Sequence, residues 1–512
     1  MTGVTDSIAT LAPLTLDGMR SAVADLVEMP PGEVGDEDDL LGLGLDSIGV
    51  MRLASRWRLA GAGVTFGELI ERHTLRDWWE LVSSRGPSGS GPADCDAAEE
   101  SPDGEPFGLG TMQYAYWIGR GEDQVLGGVG SHFYNEFDGA RIEPERLSTA
   151  LTMLFARHPM LRARFLADGR QQILPRGPWR GLAVHDFRAL PHDAAAHRLA
   201  LLRDELSSRR LDADRGEVFD VQLSLLPDGS SRMHVTTEML VADADSYRVI
   251  LEDLAELYRF PDRPPLSAIG YTYQRYLGEQ ARRRKAAYER DRAYWQQRIA
   301  GMPGRPGLPL AVQPECIRRP RARPRSHWVP PQHRQRMAAR SRRAGVTLSA
   351  ALLTAFAEVI AAWSDKPEFV LNLPFYDREL LHPDLARVVG DFTNLIIFAA
   401  DVSGERPFAQ RALDVQARLH GDTAHAVYGG VEVLRDLAHA HPGRPSAAPV
   451  VFTSALSLGE MFSTQVRRCF GDPGWTMSQT PQVWLDCQVT ERGGGLFVNW
   501  DAVEDLFPAG VL

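Results

Sequence analysis

The chain has 512 residues, 44% of them hydrophobic, enough to fold and to fill about three units of domain size. Its 56 basic and 67 acidic side chains give a net charge of -11, which offers no general positive field for phosphate backbones and argues against a nucleic-acid partner. Four scattered cysteines form neither CxxC pairs nor a disulfide framework, and neither a signal-peptide start nor a bilayer-length apolar run is present, so a soluble protein of the reducing cytosol with no membrane partner is expected.

Residues 14 to 83 read as a small helical unit. Met19, Val23, Leu26 and Val27 form one amphipathic stripe, which Met29-Pro-Pro-Gly32 ends. The acidic loop Asp36 to Asp39 leads to Gly44-Leu-Asp-Ser47, after which Ile48, Met51 and Leu53 turn inward on a second helix. Ser47 is suited to cap that helix. Residues 84 to 105 carry almost no large apolar side chains and predict a flexible linker.

Beyond the linker, strand-like runs alternate with helices. Arg232 to Met239 alternates with period two, predicting a half-buried strand, and a helix with the stripe Tyr247, Ile250, Leu251, Leu254, Leu257 and Tyr258 follows. Glu238 and Asp243 lie between the two elements. Their local pattern alone reads as a strand-end acid and a helix cap.

The Pro-rich segment 301–310 predicts a connection between two lobes, and Thr347 is placed to cap an apolar helix that reaches Trp363. Arg318 to Arg325 is interrupted by prolines and lacks interleaved aromatics, so it reads as a solvated loop. Near the C-terminal end, Gln482, Trp484, Asp486 and Gln488 share one strand face, and Val483, Leu485, Cys487 and Val489 share the other. Cys487 is therefore expected in the core and Asp486 on the polar side.

Gly44-Leu-Asp-Ser47, with acids before it and an apolar-periodic helix after it, resembles the modification site of peptidyl carrier domains of nonribosomal peptide synthetases. The resemblance implies a small all-α four-helix bundle over 14 to 83 and 4'-phosphopantetheine carried on Ser47, installed by a phosphopantetheinyl transferase. A simple helix cap is the alternative. From about residue 106 to the end, a series of strings is similar, in kind and order, to the core motifs of heterocyclization domains. It comprises Phe107-Gly-Leu-Gly-Thr-Met-Gln113, Phe133-Tyr-Asn-Glu136, Arg157-His-Pro-Met-Leu161, Asn372 to Arg378, Val389-Gly-Asp-Phe-Thr393, Pro449 to Ser454, Ser478 to Asp486 and Trp500 to Pro508.

That resemblance implies a large α/β two-lobed, chloramphenicol-acetyltransferase-like domain of the condensation type, with lobes at 106 to 285 and 286 to 512 and a tunnel between them. Where ordinary condensation domains carry a reactive histidine this sequence has Met239, and Glu238 stands where heterocyclization domains have aspartate. Asp243 is implied to pair with Arg378 as an architectural contact, and Thr453 and Asp486 fall on the positions that act in dehydration. The implied reaction joins a carrier-bound acyl thioester to a Cys, Ser or Thr on a downstream aminoacyl carrier domain. The side chain then closes on the new amide and water is lost, giving a thiazoline or oxazoline. Upstream loading enzymes would supply the acyl group. An amide-forming catalyst without ring closure and a noncatalytic docking module are the other readings.

Overall fold

The structure, a computed structural model, describes residues 14–27, 29–45, 47–64, 68–69, 72–84, 104–139, 141–261, 266–442 and 448–512. The side chains of residues 47, 48, 51, 55 and 59 lie outside the described part, as does the expected linker from 85 to 103.

The first stripe folds as helix Leu16–Leu26, started by Thr15, whose hydroxyl accepts the Gly18 N–H. Met19, Val23 and Val27 enter a core shared with helices Ser47–Leu59 and Leu75–Ser84. Trp57 and Trp78 meet there edge to face, with ring centroids 5.6 Å apart. Two buried indoles supply apolar area and defined geometry that a unit this short needs. Leu53 turns inward as expected.

The large domain contains fourteen strands in three sheets among the described residues. The first seven are β1 Phe107–Gly108, β2 His132–Gly139, β3 Ala163–Phe165, β4 Arg170–Ile173, β5 Ala183–Asp186, β6 Phe219–Leu225 and β7 Ser231–Glu238. The rest are β8 Ala322–Val329, β9 Glu368–Tyr376, β10 Thr393–Asp401, β11 Val450–Ser454, β12 Gly471–Gln479, β13 Leu485–Arg492 and β14 Gly495–Val503. Order β12-β2-β7-β6-β5 makes the sheet of the first lobe, backed by helices Pro144–Arg157 and Ala244–Arg259. Order β10-β9-β11-β13-β14-β8 makes the sheet of the second, backed by helices Leu348–Trp363 and Gly430–Ala440. A small third sheet, β1-β4-β3, completes the first lobe.

Three local expectations change. β7 is central and buried on both faces, because its polar side chains satisfy one another instead of water: His234 bonds Tyr134 at 2.8 Å and Ser224 at 3.0 Å, and Arg203 and Arg232 hold Glu136. The basic stretch is a loop only as far as Arg321, and its second half opens an edge strand. Ala322–Val329 pairs β14 on one side only, so Pro324 is tolerated, and Arg323 and Arg325 meet Asp204 and Glu504. The residue 285/286 division falls inside a continuous helix, Tyr273–Ile299, which puts Tyr273 and Tyr276 in one core and Trp295 and Ile299 in the other. This helix, rather than the Pro-rich segment after it, joins the lobes.

The path of β12 positions the site. After β11 the chain leaves the second lobe, adds β12 to the first lobe's sheet through an antiparallel pairing with β2, and returns as β13. A bulge between Pro473 and Thr476 re-aims the end of β12. Ser478 thereby stands where the two sheets meet.

Candidate functional site

A cavity of about 560 Å³ lies at that junction. Tyr116, Phe133, Met239, Asp243 and Tyr247 line it from the first lobe, and Asn372, Tyr376, Thr453, Asp486 and Gln488 from the second. Ser478 reaches it from the crossing strand.

Thr453 and Asp486 come together through strand pairing. β11 and β13 run parallel with Val451 opposite Asp486, so Thr453, two residues further along on the same face, projects beside the carboxylate. Its hydroxyl donates to Asp486 Oδ1 at 3.1 Å. On the other oxygen, Oδ2, Gln488 Nε2 donates at 2.7 Å and Ser478 Oγ at 3.2 Å. Asp486 keeps part of its surface open to the cavity, yet the walls enclose it on every side. That enclosure raises its carboxyl above the usual value, against the lowering effect of the bonds from Gln488, Thr453 and Ser478. The group suits a proton-transfer role near neutral pH: enclosed, held by neutral donors and facing space that a substrate can fill.

The alternation used to place Asp486 begins at Leu485. Gln482 precedes the strand with a φ of 68°, and Trp484 is buried in the second lobe's core. Cys487 points into that core, where burial pushes its thiol up, as expected of an inert packing residue.

Asp243 caps helix Ala244–Arg259, its Oδ1 accepting the Ser246 N–H at 2.7 Å. Arg378 Nη2 lies 3.3 Å from the same oxygen and 2.7 Å from Ser246 Oγ, while Nη1 donates to the carbonyls of Leu385 and Val388. The guanidinium also covers the Phe392 ring at 4.1 Å. Arg378 thus ties the end of the first lobe's core motif to the segment after β9. Burial raises the Asp243 carboxyl, with Arg378 opposing.

Glu238 ends β7 fully buried and outside the cavity lining. Arg120 Nη1 sits 2.6 Å from its Oε2, an ionic contact with angles too poor for a hydrogen bond, and Arg120 Nη2 is spent on the Leu211 carbonyl at 2.7 Å. The carboxylate is a structural counterion there. Ser47 opens helix Ser47–Leu59, and a helix start presents free N–H groups that suit a phosphate-linked group.

Three partners of the site carry no role in the sequence reading: Ser478, Gln488 and Asp501. Asp501 lies directly across β13–β14 from Asp486, and its Oδ2 accepts from Ser478 N at 2.8 Å, Ser478 Oγ at 3.2 Å and Gln488 Nε2 at 3.1 Å. Asp391 was likewise passed over. Burial, then the charge of Asp243, raise its carboxyl to about 8.

The condensation-domain family pattern matches residues 132–509, and the phosphopantetheine attachment site pattern matches residues 17–82. Phenyloxazoline synthase MbtB of Mycobacterium bovis is 44% identical over 500 residues, 96% of this chain and 35% of that protein. Pyochelin synthetase PchE of Pseudomonas aeruginosa is 38% identical over 501 residues, 97% of this chain and 34% of that one. This chain therefore spans about a third of the length of these relatives. Among solved structures, the EpoB cyclization-docking bidomain of a nonribosomal peptide synthetase from Sorangium cellulosum is similar at a TM-score of 0.72 and 31% identity, covering 84% of this chain and 88% of that one.

Proposed function

Since the chain belongs to the condensation-domain family of nonribosomal peptide synthetases, with a phosphopantetheine carrier domain ahead of a cyclization-type domain, we propose that it joins a carrier-bound acyl thioester to a seryl, threonyl or cysteinyl carrier and cyclodehydrates the amide. The observation that carries this reading is the Asp486 carboxyl, held by Thr453 at the junction of the lobes and facing the cavity.

Ser47 is the residue we assign to the 4'-phosphopantetheine, attached by a phosphopantetheinyl transferase. The arm presents the acyl group as a thioester, activated for attack by an amine. Every later step falls to the chain's own residues. The cavity walls align the two substrates and exclude bulk water, which supports amide formation by proximity. The side-chain oxygen or sulfur then adds to the amide carbon, and its proton passes to the former carbonyl oxygen, which becomes the hydroxyl that leaves. Asp486 delivers a proton to the departing hydroxyl and takes one from the ring nitrogen, so one water leaves and the carboxyl is restored. Thr453 fixes which carboxyl oxygen faces the substrate.

The chain's own carrier serves as the donor in this reading. Arg58 pairs with Glu379 at 3.0 Å, and Arg52 Nη1 donates to the Ser457 carbonyl at 2.5 Å. Ser457 stands between Ala455 and Glu460, both of which line the cavity. The helix that begins at Ser47 therefore rests on the cavity's rim. The similarity to a phenyloxazoline synthase supports an aryl donor and an oxazoline product. The acceptor arrives on a downstream carrier, with upstream loading enzymes providing the donor, and neither nucleic acid nor a membrane takes part. Among the described residues no single helix is long and apolar enough to cross a bilayer.

The test is the mass of the product. Holo-protein acylated on its own carrier and mixed with a seryl- or cysteinyl-loaded carrier should give an amide lighter by one further water. Accumulation of the uncyclised amide alone would reject ring formation, and no amide at all would reject catalysis.

A further inference from the structure

Asp501 is the buried acid that the mechanism above leaves unused. It is 3% exposed, does not line the cavity, and lies behind Ser478 as seen from Asp486. The Ser478 hydroxyl stands 3.2 Å from Asp486 Oδ2 and 3.2 Å from Asp501 Oδ2. It has one hydrogen and cannot donate to both. Gln488 Nε2 reaches both carboxyl groups and the same hydroxyl.

With both acids ionised, two buried negative charges would share these few neutral donors. With one proton on the pair the chain closes, because Ser478 accepts from one carboxyl and donates to the other.

Among the described residues no cation contacts either acid: of the arginines that line the cavity, Arg435 pairs with Asp436, Arg467 with Asp472, and Arg492 donates to the Pro473 carbonyl. β11 contributes Thr453, β12 contributes Ser478 and Gln479, and β13 contributes Cys487 and Gln488. On the edge strand β8, Pro324 stands opposite Asp501, and the neighbouring Arg323 and Arg325 are engaged by Asp204 and Glu504. Asn499 adds an amide, and the tyrosines Tyr116 and Tyr376 face Asp486 from the cavity wall with hydroxyls that burial keeps neutral. No Lys, Arg or His among the described residues forms an ion pair with either acid.

We propose that Asp501 is a positioning residue that shares one proton with Asp486 through the Ser478 hydroxyl and thereby keeps Asp486 supplied for dehydration, an inference that rests on the ring-forming reading. In the relay, the Asp501 O–H bond breaks as its proton moves to Ser478 Oγ, and the Ser478 proton moves to Asp486. When the substrate C–O bond breaks, Asp486 gives its proton to the departing hydroxyl, which leaves as water. The ring nitrogen then returns a proton to the pair as the C=N bond forms, so the pair ends as it began. Consistent with this, burial, together with the charge of Asp486, raises Asp501 to about 8.

The test compares holo-protein with its Asp501→Asn variant, using a benzoyl donor and a cysteinyl carrier, from about pH 6 to about pH 9.5. Asparagine keeps the shape and hydrogen-bonding capacity while removing the shared proton. The wild-type ring-forming rate should fall as pH rises through about 8, where Asp501 gives up the shared proton, and the variant's fall should begin at lower pH, because Asp486 then has no second acid to share a proton with. A displacement of about one pH unit reads as about a tenfold loss in ring formation at the alkaline end, with amide formation unchanged. Superimposable profiles would overturn the proposal.

An infrared difference spectrum of wild type against variant gives a readout without turnover. A protonated-carboxyl band present near neutral pH and lost in alkali supports the shared proton, and its absence refutes it. Should the wild type make amide but no ring while this band is present, the ring-forming reading fails and the carboxyl pair stands.

Discussion

Thr453→Val isolates the contact on which the proposed dehydration chemistry rests. Valine matches threonine in shape and removes only the hydroxyl, which is the sole donor to Asp486 Oδ1 among the described residues. A hydrogen bond to a charged group is worth about 1.5–3 kcal/mol, so if it is made during water loss its removal slows ring closure by about 10- to 150-fold. The Thr453 bond also lowers the Asp486 carboxyl, so the variant should hold its proton to higher pH. Amide formation draws on alignment rather than on this carboxyl and should continue, leaving the uncyclised amide as the main product. Thr453→Ser keeps the donor and should recover most of the rate. The assay is mass spectrometry of carrier-bound products over time. Ring formation within about twofold of wild type in the valine variant, or equal loss in the serine variant, would refute the reasoning.

Four further outcomes are expected. Ser47→Ala should abolish the gain of one phosphopantetheine in intact mass on treatment with a phosphopantetheinyl transferase and leave the fold intact by circular dichroism. Arg120→Met leaves Glu238 buried without its counterion and should cost about 3–5 kcal/mol in denaturant unfolding, with a loss under about 1 kcal/mol arguing against the structural pairing. Reversing Arg58 to Glu should slow transfer from the chain's own carrier by a few-fold, since a partly exposed pair is worth about 0–1 kcal/mol, and adding Glu379→Arg should restore it. Asp391, raised to about 8, holds a proton in the fold that the unfolded chain releases near pH 4. The stability it contributes is complete below about pH 4 and is lost as pH rises through about 8, so Asp391→Asn should flatten the fall in Tm over that interval.

The elements legible in the sequence were those with local causes. Asp243 and Thr347 each cap a helix whose apolar stripe is regular, and both accept the expected backbone N–H. What could not be read was which strand lies beside which. β7 alternates like a half-exposed strand, and only its place between β2 and β6 turns its polar face into an internal network. β12 leaves its sequence neighbours for the other lobe's sheet, and no local pattern signals that.

Asp501 was within reach, however. Arg492-Gly-Gly-Gly495 between two alternating runs is a two-residue hairpin signal, and both central glycines take positive φ, 59° and 72°. Counting back from the turn pairs Arg492 with Gly495 and places Asp486 opposite Asp501. The hairpin fixes the register, and the register makes the carboxyl pair.

The loss of the histidine and the position of that pair are connected. At the first lobe's strand end, Met239 offers sulfur to the Thr480 hydroxyl at 3.8 Å, while Glu238 faces Arg120 behind the wall. Neither side chain moves a proton in the cavity. Attack on a thioester by a carrier-bound amine needs little beyond alignment, so an absent imidazole there is tolerable. Expelling hydroxide from a ring carbon is different, since the leaving group must be protonated as it departs. A carboxyl at its ordinary value is ionised at neutral pH and a poor donor. One enclosed by two sheets, with no ion-pairing cation among the described residues and with a second acid behind a shared serine, is raised above that value and is the better donor. The crossing of β12 between the lobes creates that enclosure, because it brings Ser478 between two acids of one hairpin while leaving one of them open to the cavity.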